Sequence, residues 1–493
     1  SSPESATTAL LGTATQSVAR PMTLTERAMC NGAVWPAECN VPQYSSILNG
    51  ALFFQRLPSR EAVERDFSRV FLAHLRFKSL AREDGTWEPG TIDPEYHFVV
   101  EPAVADTKEA RRMIDEFIAT DLDHLHPLWR VHLIPVQAKG ELSVVLFRLH
   151  HCIGDGSAIA SLFNGLACDA DGQPVGETPL MRRLAETLAQ RNQACSLAKA
   201  CRSVAMGVDA VGSFISNASV PFRPLETDTK FTRPRAERRH GNTYGGLRHV
   251  VYVPPHSLTY VKACKDAARM TLNDVVLSAT SGALRRYCEQ HGDAAFSTGR
   301  HVRLRALIPV ATPHTGGNGP EDCIANNFAF VSCPLAVSDV DPLDRLQRTS
   351  ASMSRIKRST KPLTALWQTN RMAKCFSQRR RQKIARDLFA NHSLVFSNVP
   401  GPDAPVYIAG EQLESAQAIF PNFVSQVILL SYNGGIHMNF TVDSSLIEDA
   451  DSLADFYIAE LGAIGAALGV VGDPLTIKNH AVAAVATEQE ESL

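Results

Sequence analysis

The stretch Ser143–Ser157, SVVLFRLHHCIGDGS, restricts the folds open to this chain more than any other. Ser143 to Leu149 is apolar and β-branched enough to form a buried strand. It runs into His150 and His151. Cys152-Ile153-Gly154-Asp155-Gly156 follows as a tight loop, and an Ala/Ile/Leu-rich helix opens at Ser157. Successive side chains on a strand point to opposite faces, so the two histidines diverge: one faces a site while the other packs or hydrogen-bonds. Histidine titrates near neutrality and suits a general base. Asp155 either orients a histidine or clamps the loop through an arginine, and Gly154 and Gly156 relieve steric limits where the chain bends. Taken singly, these residues have plainer readings, because a strand-end histidine is more often structural and Asp-Gly is ordinary turn chemistry. A metal site is not expected: adjacent histidines diverge, no HExxH or CxxC is present, and His124-Leu125-His126 has no evident third ligand.

At 493 residues the chain is long for one core and suggests two domains. Hydrophobic content of 44% and charged content of 20% fit a folded soluble or peripheral protein, and a net charge of −2 gives no reason to expect nucleic acid. Eleven cysteines, scattered singly, suggest reduced thiols in a cytosol-facing compartment. No run of eighteen apolar residues marks a spanning helix. Residue 1 is Ser rather than Met, which leaves room for an upstream targeting or anchoring segment.

Residues 1–20 read as a flexible N-terminus and 21–215 as a first lobe. In that lobe 46–54 is a strand, 59–75 and 107–122 are amphipathic helices, and 130–136 pairs with 141–149 as a hairpin. The hairpin brings Trp129 toward the histidines, as a substrate contact or as a core residue. A helical segment over 180–211 precedes a Pro-, charge- and Gly-rich linker at 216–246. The second lobe, 247–476, alternates strands (248–253, 302–308 stopped by Pro309, 327–335, 393–398, 424–431, 436–442) with helices (256–268, 275–287, 343–356, 366–389, 451–467). Residues 477–493 read as a disordered tail. Two α/β lobes with a cleft between them are predicted, and such a cleft is a usual place for a ligand site.

His-His-x-x-x-Asp-Gly after a hydrophobic strand resembles the motif of the CoA-dependent acyltransferase superfamily. Six ordered segments narrow the resemblance: PLWRVHLI at 127–134, LHHCIGDGS at 149–157, LNDVVLSATSGALRRY at 272–287, LRALIPV at 304–310, FSNVPGP at 396–402 and LLSYNGGIHMNFTVD at 429–443. Together, from about Pro21 to Val471, they are similar to the wax ester synthase/diacylglycerol acyltransferase family. Two segments depart from the family pattern: PMTLTE is a loose version of its opening, and NNFAFVS leaves Asn326 and Asn327 ambiguous.

The resemblance implies two chloramphenicol-acetyltransferase-like lobes, each a mixed sheet covered by helices, with the active site in a tunnel between them. It implies acyl transfer from acyl-CoA, a substrate rather than a cofactor, to a long-chain alcohol or diacylglycerol. His151 is then the base of a direct ternary reaction, supported by His150, Asp155 and Gly156. Asn273 and Asp274 match the family's Asn-Asp pair near the cleft. Asn273, Asn398 and Asn433 are candidates for the oxyanion contact, since amide N–H₂ groups serve that role. Cys152, next to the base, should point away from it.

Lipid substrates imply a peripheral membrane or lipid-droplet location, and the run 371–386, with seven basic residues and no acid, suits CoA phosphates, an anionic surface or a solvated face. Acyl chain length, the choice of acceptor and the oligomeric state stay open. Competing readings are a condensation-type enzyme of the same superfamily and a non-catalytic lipid-binding protein on the same fold.

Overall fold

The strand that ends in the histidine pair lies at the middle of a five-stranded sheet. The structure is a computed structural model and describes residues 20–22, 26–27, 46–175, 209–220, 226–232, 234, 237, 247–311 and 328–477. Most of the helix expected over 180–211 (residues 180–208), Asn326, Asn327, most of the linker, nearly all of the N-terminal 20 residues and the tail beyond 477 lie outside them.

In chain order the first half supplies β1 (Ile47–Phe54), α1 (Arg60–Phe71), β2 (Phe98–Val100), α2 (Thr107–Ile118), β3 (Trp129–Ile134), β4 (Ser143–His150) and α3 (Gly156–Leu166). A helix over 209–218, α4, follows. The second half supplies β5 (His249–Ser257), α5 (Leu258–Ala268), α6 (Leu272–Gln290), β6 (Leu304–Ala311), β7 (Phe328–Leu335), α7 (Pro342–Arg358), α8 (Lys361–Cys375), α9 (Gln378–Ala390), β8 (Leu394–Pro400), β9 (Ser415–Ile419), β10 (Ser425–Tyr432), β11 (Gly435–Val442) and α10 (Ser452–Ala467). The sheets run β9-β1-β4-β3-β2 and β7-β6-β8-β10-β11-β5.

All eight residues of β4 are buried because the strand is covered on both faces. Val145, Phe147 and Leu149 pack with Val63, Phe67 and Phe71 of α1, while Val144 and Leu146 pack with Ala110 and Ile114 of α2. This alternation follows from the period-two strand and the helical spacing of the covering residues. Ser59 caps α1 by accepting from Ala62 N–H at 3.2 Å, and Asp106 caps α2 by accepting from Glu109 N–H at 2.7 Å. Gly50, opposite Phe147 on β1, leaves room for that ring: a Cβ there would lie 2.2 Å from it.

The second lobe buries one sheet face under α5, α6, α7 and α10. The expected hairpin at Asn433-Gly434 is present, with φ of 46° and 74°, both in the left-handed region that primed turns require. The single helix expected over 366–389 is two helices, α8 and α9, broken after Cys375. Pro309 does not stop its strand. β6 continues through it, registered against Phe330 of β7, yet pairs with β8 only at Ala306 and Leu307. A proline has no N–H to give a neighbour, so what ends near it is the pairing on one side.

One strand crosses the division drawn along the chain. β9, from the second half, pairs antiparallel with β1 of the first sheet, Ser415 against Phe53 through Ile419 against Asn49. Its other neighbours are in the second lobe: Asn439 Nδ2 on β11 donates to Gln417 Oε1 at 2.9 Å and to the Ala418 carbonyl at 2.8 Å.

A second tie between lobes is ionic. His249 on β5 bonds Asp115 of α2 through Nδ1 at 2.7 Å and Asp451 through Nε2 at 2.9 Å. Its pKa is raised to about 9, chiefly by the bond to Asp115 against the cost of burial, while burial pushes Asp115 up. A base whose folded pKa is raised stabilises fully below its unfolded value and loses that contribution as pH climbs through the folded one. The melting temperature of the protein should therefore exceed that of His249→Asn at pH 6, and the gap should close as pH rises through about 9. Thermal melts of both proteins across that range check it.

Candidate active site

His150 and His151 have different surroundings. The backbone N–H of His150 bonds Leu128, on the β3 side, and that of His151 bonds Ser46, on the β1 side. The His150 ring is enclosed: its Nδ1 accepts the Cys152 N–H at 3.2 Å, and burial, with His124 and His151 nearby, drives its pKa down to about 3. It is a neutral, packed imidazole at physiological pH.

His151 lies just past the strand, 8% exposed, with its ring 5.6 Å from Phe328 and 5.6 Å from Phe420. Both rings come from the second half of the chain. Phe328 opens β7. Phe420 directly follows β9, so the crossing strand is what delivers it: Ile419 is opposite Asn49, and Ile47 on the same strand is opposite His150. The base expected from the sequence therefore sits at the junction of the lobes.

The loop after it is held by an arginine. Arg76, 3% exposed, donates from Nη1 to the Ile153 carbonyl at 2.9 Å and pairs through Nη2 with Glu26 at 2.7 Å. The Trp87 indole N–H donates to the same carboxylate at 3.1 Å. Asp155 is buried at 4%. Gly156 has no positive φ, and nothing lies within 4 Å of where its Cβ would be. Neither backbone strain nor protein packing calls for glycine there. The residue faces open space where α3 begins, and α3 lies beside β8 of the other lobe. Cys152 is wholly buried in the first-lobe core.

Two of the expected asparagines meet. Asn398 Nδ2 donates to Asn273 Oδ1 at 2.6 Å, linking β8 to the first turn of α6. Asp274 is buried and structural in its contacts: it accepts the Thr271 N–H at 2.9 Å and the Ser350 hydroxyl at 3.3 Å, with Lys357 Nζ at 3.7 Å. It closes the N-terminus of α6. Asn398 lies three residues past the last pair between β8 and β6, Val395 with Leu307, where the two strands part. Phe328 is paired with Ala311 at the same end of β6. The strand opening, Phe328 and the Asn398–Asn273 pair thus share one end of the second sheet.

Two candidates fall elsewhere. Trp129 is a core residue, not a substrate contact. It is fully buried, stacks on His97 at 4.1 Å, packs edge-on against Phe71 at 5.6 Å and donates its indole N–H to the Phe77 carbonyl at 2.9 Å. Asn433 is a turn residue, and its N–H bonds the Pro402 carbonyl at 3.0 Å. Phe328, Phe420, Arg76 and Glu26 were not foreseen. Phe328 reads as one more apolar strand residue, and nothing in the sequence ties Arg76 to a loop 77 positions away.

Residues 24–276 match the family model described as the wax ester synthase/diacylglycerol acyltransferase catalytic domain, and 324–465 match the WS/DGAT C-terminal domain. The chain belongs to the wax ester synthase/diacylglycerol acyltransferase family. It is 25% identical over 429 residues to wax ester synthase/diacylglycerol acyltransferase 1 of Arabidopsis thaliana, covering 80% of this chain and 85% of that protein. It is 26% identical over 420 residues to member 9 from the same plant, covering 78% and 84%. The solved wax ester synthase/diacylglycerol acyltransferase from Marinobacter aquaeolei VT8 superposes with a TM-score of 0.61 at 17% identity, covering 91% of this chain and all of that one. The first condensation domain of the calcium-dependent antibiotic synthetase superposes at 0.55 with 15% identity, covering 94% and 98%. This acyltransferase therefore has the two-lobed fold shared with condensation domains.

Proposed function

We propose that this acyltransferase moves a long-chain acyl group from acyl-CoA to the hydroxyl of a long-chain alcohol or a diacylglycerol, with His151 as general base. The observation that carries the proposal is the placement of His151 at the lobe junction between Phe328 and Phe420. Two aromatic rings beside the base give an alkyl chain an apolar wall. His151 takes the hydroxyl proton as the oxygen attacks the thioester carbon. The tetrahedral intermediate collapses by breaking the carbon–sulfur bond, and the imidazolium returns its proton to the CoA sulfur. General-base assistance of this kind supplies about 10²–10⁴ in rate.

With its Oδ1 engaged by Asn398, Asn273 has its N–H₂ left to offer the developing oxyanion. CoA thiolate leaves readily, so the route needs neither a covalent acyl-enzyme nor a cofactor. Both acceptors are lipids, which favours work at a membrane or lipid-droplet surface. Among the described residues no helix is long and apolar enough to cross a membrane.

The test is incubation of purified protein with palmitoyl-CoA and, separately, hexadecanol and dioleoylglycerol, with product identification. A wax ester, a triacylglycerol or both is the expected product. Turnover only of an acyl group presented on a carrier protein would move the reading to the condensation type.

A further inference from the structure

Five of the eleven large apolar side chains exposed among the described residues lie in one place: Val211 at 62%, Phe214 at 42% and Ile215 at 61% on α4, and Leu363 at 58% and Trp367 at 56% on α8. The spacing is i, i+3, i+4 on one helix and i, i+4 on the other, so each helix presents a stripe. Phe214 and Trp367 meet edge-on at 5.9 Å and join the two stripes. Several polar side chains of the pair hold the helices together. Asn217 Nδ2 donates to the Lys361 carbonyl at 2.9 Å and the Thr364 hydroxyl at 3.0 Å, Gln368 Nε2 donates to the Phe214 carbonyl at 2.9 Å, and Asp209 accepts the Thr360 N–H at 2.5 Å. The apolar faces are therefore presented to solvent by a cross-bonded scaffold. Contiguous exposed apolar surface of this kind marks an interaction site.

Charge identifies the partner. Arg371 continues the Leu363–Trp367 stripe by four residues and is exposed, as are Arg379 and Arg380 at the start of α9. The acid on this stretch, Asp387, pairs with Lys383 at 2.6 Å. An apolar patch containing an exposed tryptophan, bordered by arginines, matches the interface of an anionic phospholipid layer, where the indole settles at headgroup depth and the guanidinium groups meet phosphates.

We propose that the α4–α8 face docks this protein on an anionic phospholipid surface. α8 lies along β7, the edge strand whose first residue meets His151, so docking brings the lipid against the strand that leads to the base. The assignment deepens the proposed function by naming the face through which a lipid acceptor is reached, and it rests on that reading only for this purpose.

The test compares the full chain with a variant carrying Val211→Ser, Ile215→Ser, Leu363→Ser and Trp367→Ser in flotation with phosphatidylcholine vesicles, with and without about a third phosphatidylserine. The wild type should float with the anionic vesicles and far less with the neutral ones. The variant should bind the anionic vesicles at least ~10-fold more weakly. Its circular dichroism and its turnover of micelle-free octanoyl-CoA and octanol should be unchanged, because the four side chains are exposed and lie outside the site. Equal vesicle binding by variant and wild type overturns the proposal. So does a drop from dimer to monomer on sizing with vesicle binding unaltered, which would assign the patch to a second copy. Vesicle binding is read without turnover, so absence of any ester product would count against the proposed reaction and leave the docking result standing.

Discussion

Replacing His151 with alanine is expected to lower ester formation from labelled palmitoyl-CoA by about 10²–10⁴, the usual contribution of a positioned general base. The protein should remain folded. His151 lies beyond the end of β4, and its backbone bond to Ser46 does not involve the side chain. Phe328 and Phe420 can close partly over the space left by the ring. The matched control is His150→Ala, whose ring packs inside the lobe with its Nδ1 bonded to the Cys152 N–H. That change should reduce stability as well as activity, whereas His151→Ala should separate the two. Single-turnover assays with melting curves on both variants make the comparison, and unchanged turnover in His151→Ala removes the residue from the mechanism.

The second large effect is expected at Arg76→Met. Arg76 and Glu26 are both nearly fully buried, and removing one member of such a pair leaves the other charged and poorly compensated, at a cost of about 3–5 kcal/mol. Arg20 also reaches Glu26, at 3.2 Å, but it is a third exposed and offers only partial compensation. The same substitution removes the bond from Arg76 to the Ile153 carbonyl inside the loop that follows His151, so kcat should fall even where the protein is fully folded. Combining Arg76→Met with Glu26→Gln should recover much of the stability, since the stranded charge is gone, but not the lost kcat. Denaturant titration and steady-state kinetics on the single and double variants distinguish the two effects. If the double variant regains full kcat, the arginine has no positioning role.

Much of the architecture was legible because it is written in local periodicity. The strand into His150-His151, the amphipathic spacing of α1 and α2, the hairpin of β3 and β4 and the Asn433-Gly434 turn each follow from residues close together in sequence. The exceptions have specific causes. Pro309 looked like a strand end because a missing N–H is costly inside a sheet, but β6 has already parted from β8 on one side, where no bond is required. Trp129 stood open between substrate contact and core residue because the hairpin carries it toward the histidines, and its indole is enclosed by His97, Phe71 and Phe77 on the helix-covered face.

By itself the sequence located the histidine pair and its Gly-Asp-Gly loop, and the family resemblance carried by the ordered motifs pointed to His151 as the residue of the proposed proton transfer. The tertiary structure alone decided what surrounds it. β9 is five residues of mixed polarity, SAQAI, with too weak a pattern to read as a strand, and pairing with a partner more than 350 positions away leaves no local signature. That pairing, formed because the open edge of β1 needs hydrogen-bond partners, brings Phe420 to the base. Arg76, the Asn273–Asn398 contact and the joined stripes of α4 and α8 arise in the same way, from side chains far apart in sequence that become neighbours only once the chain has folded.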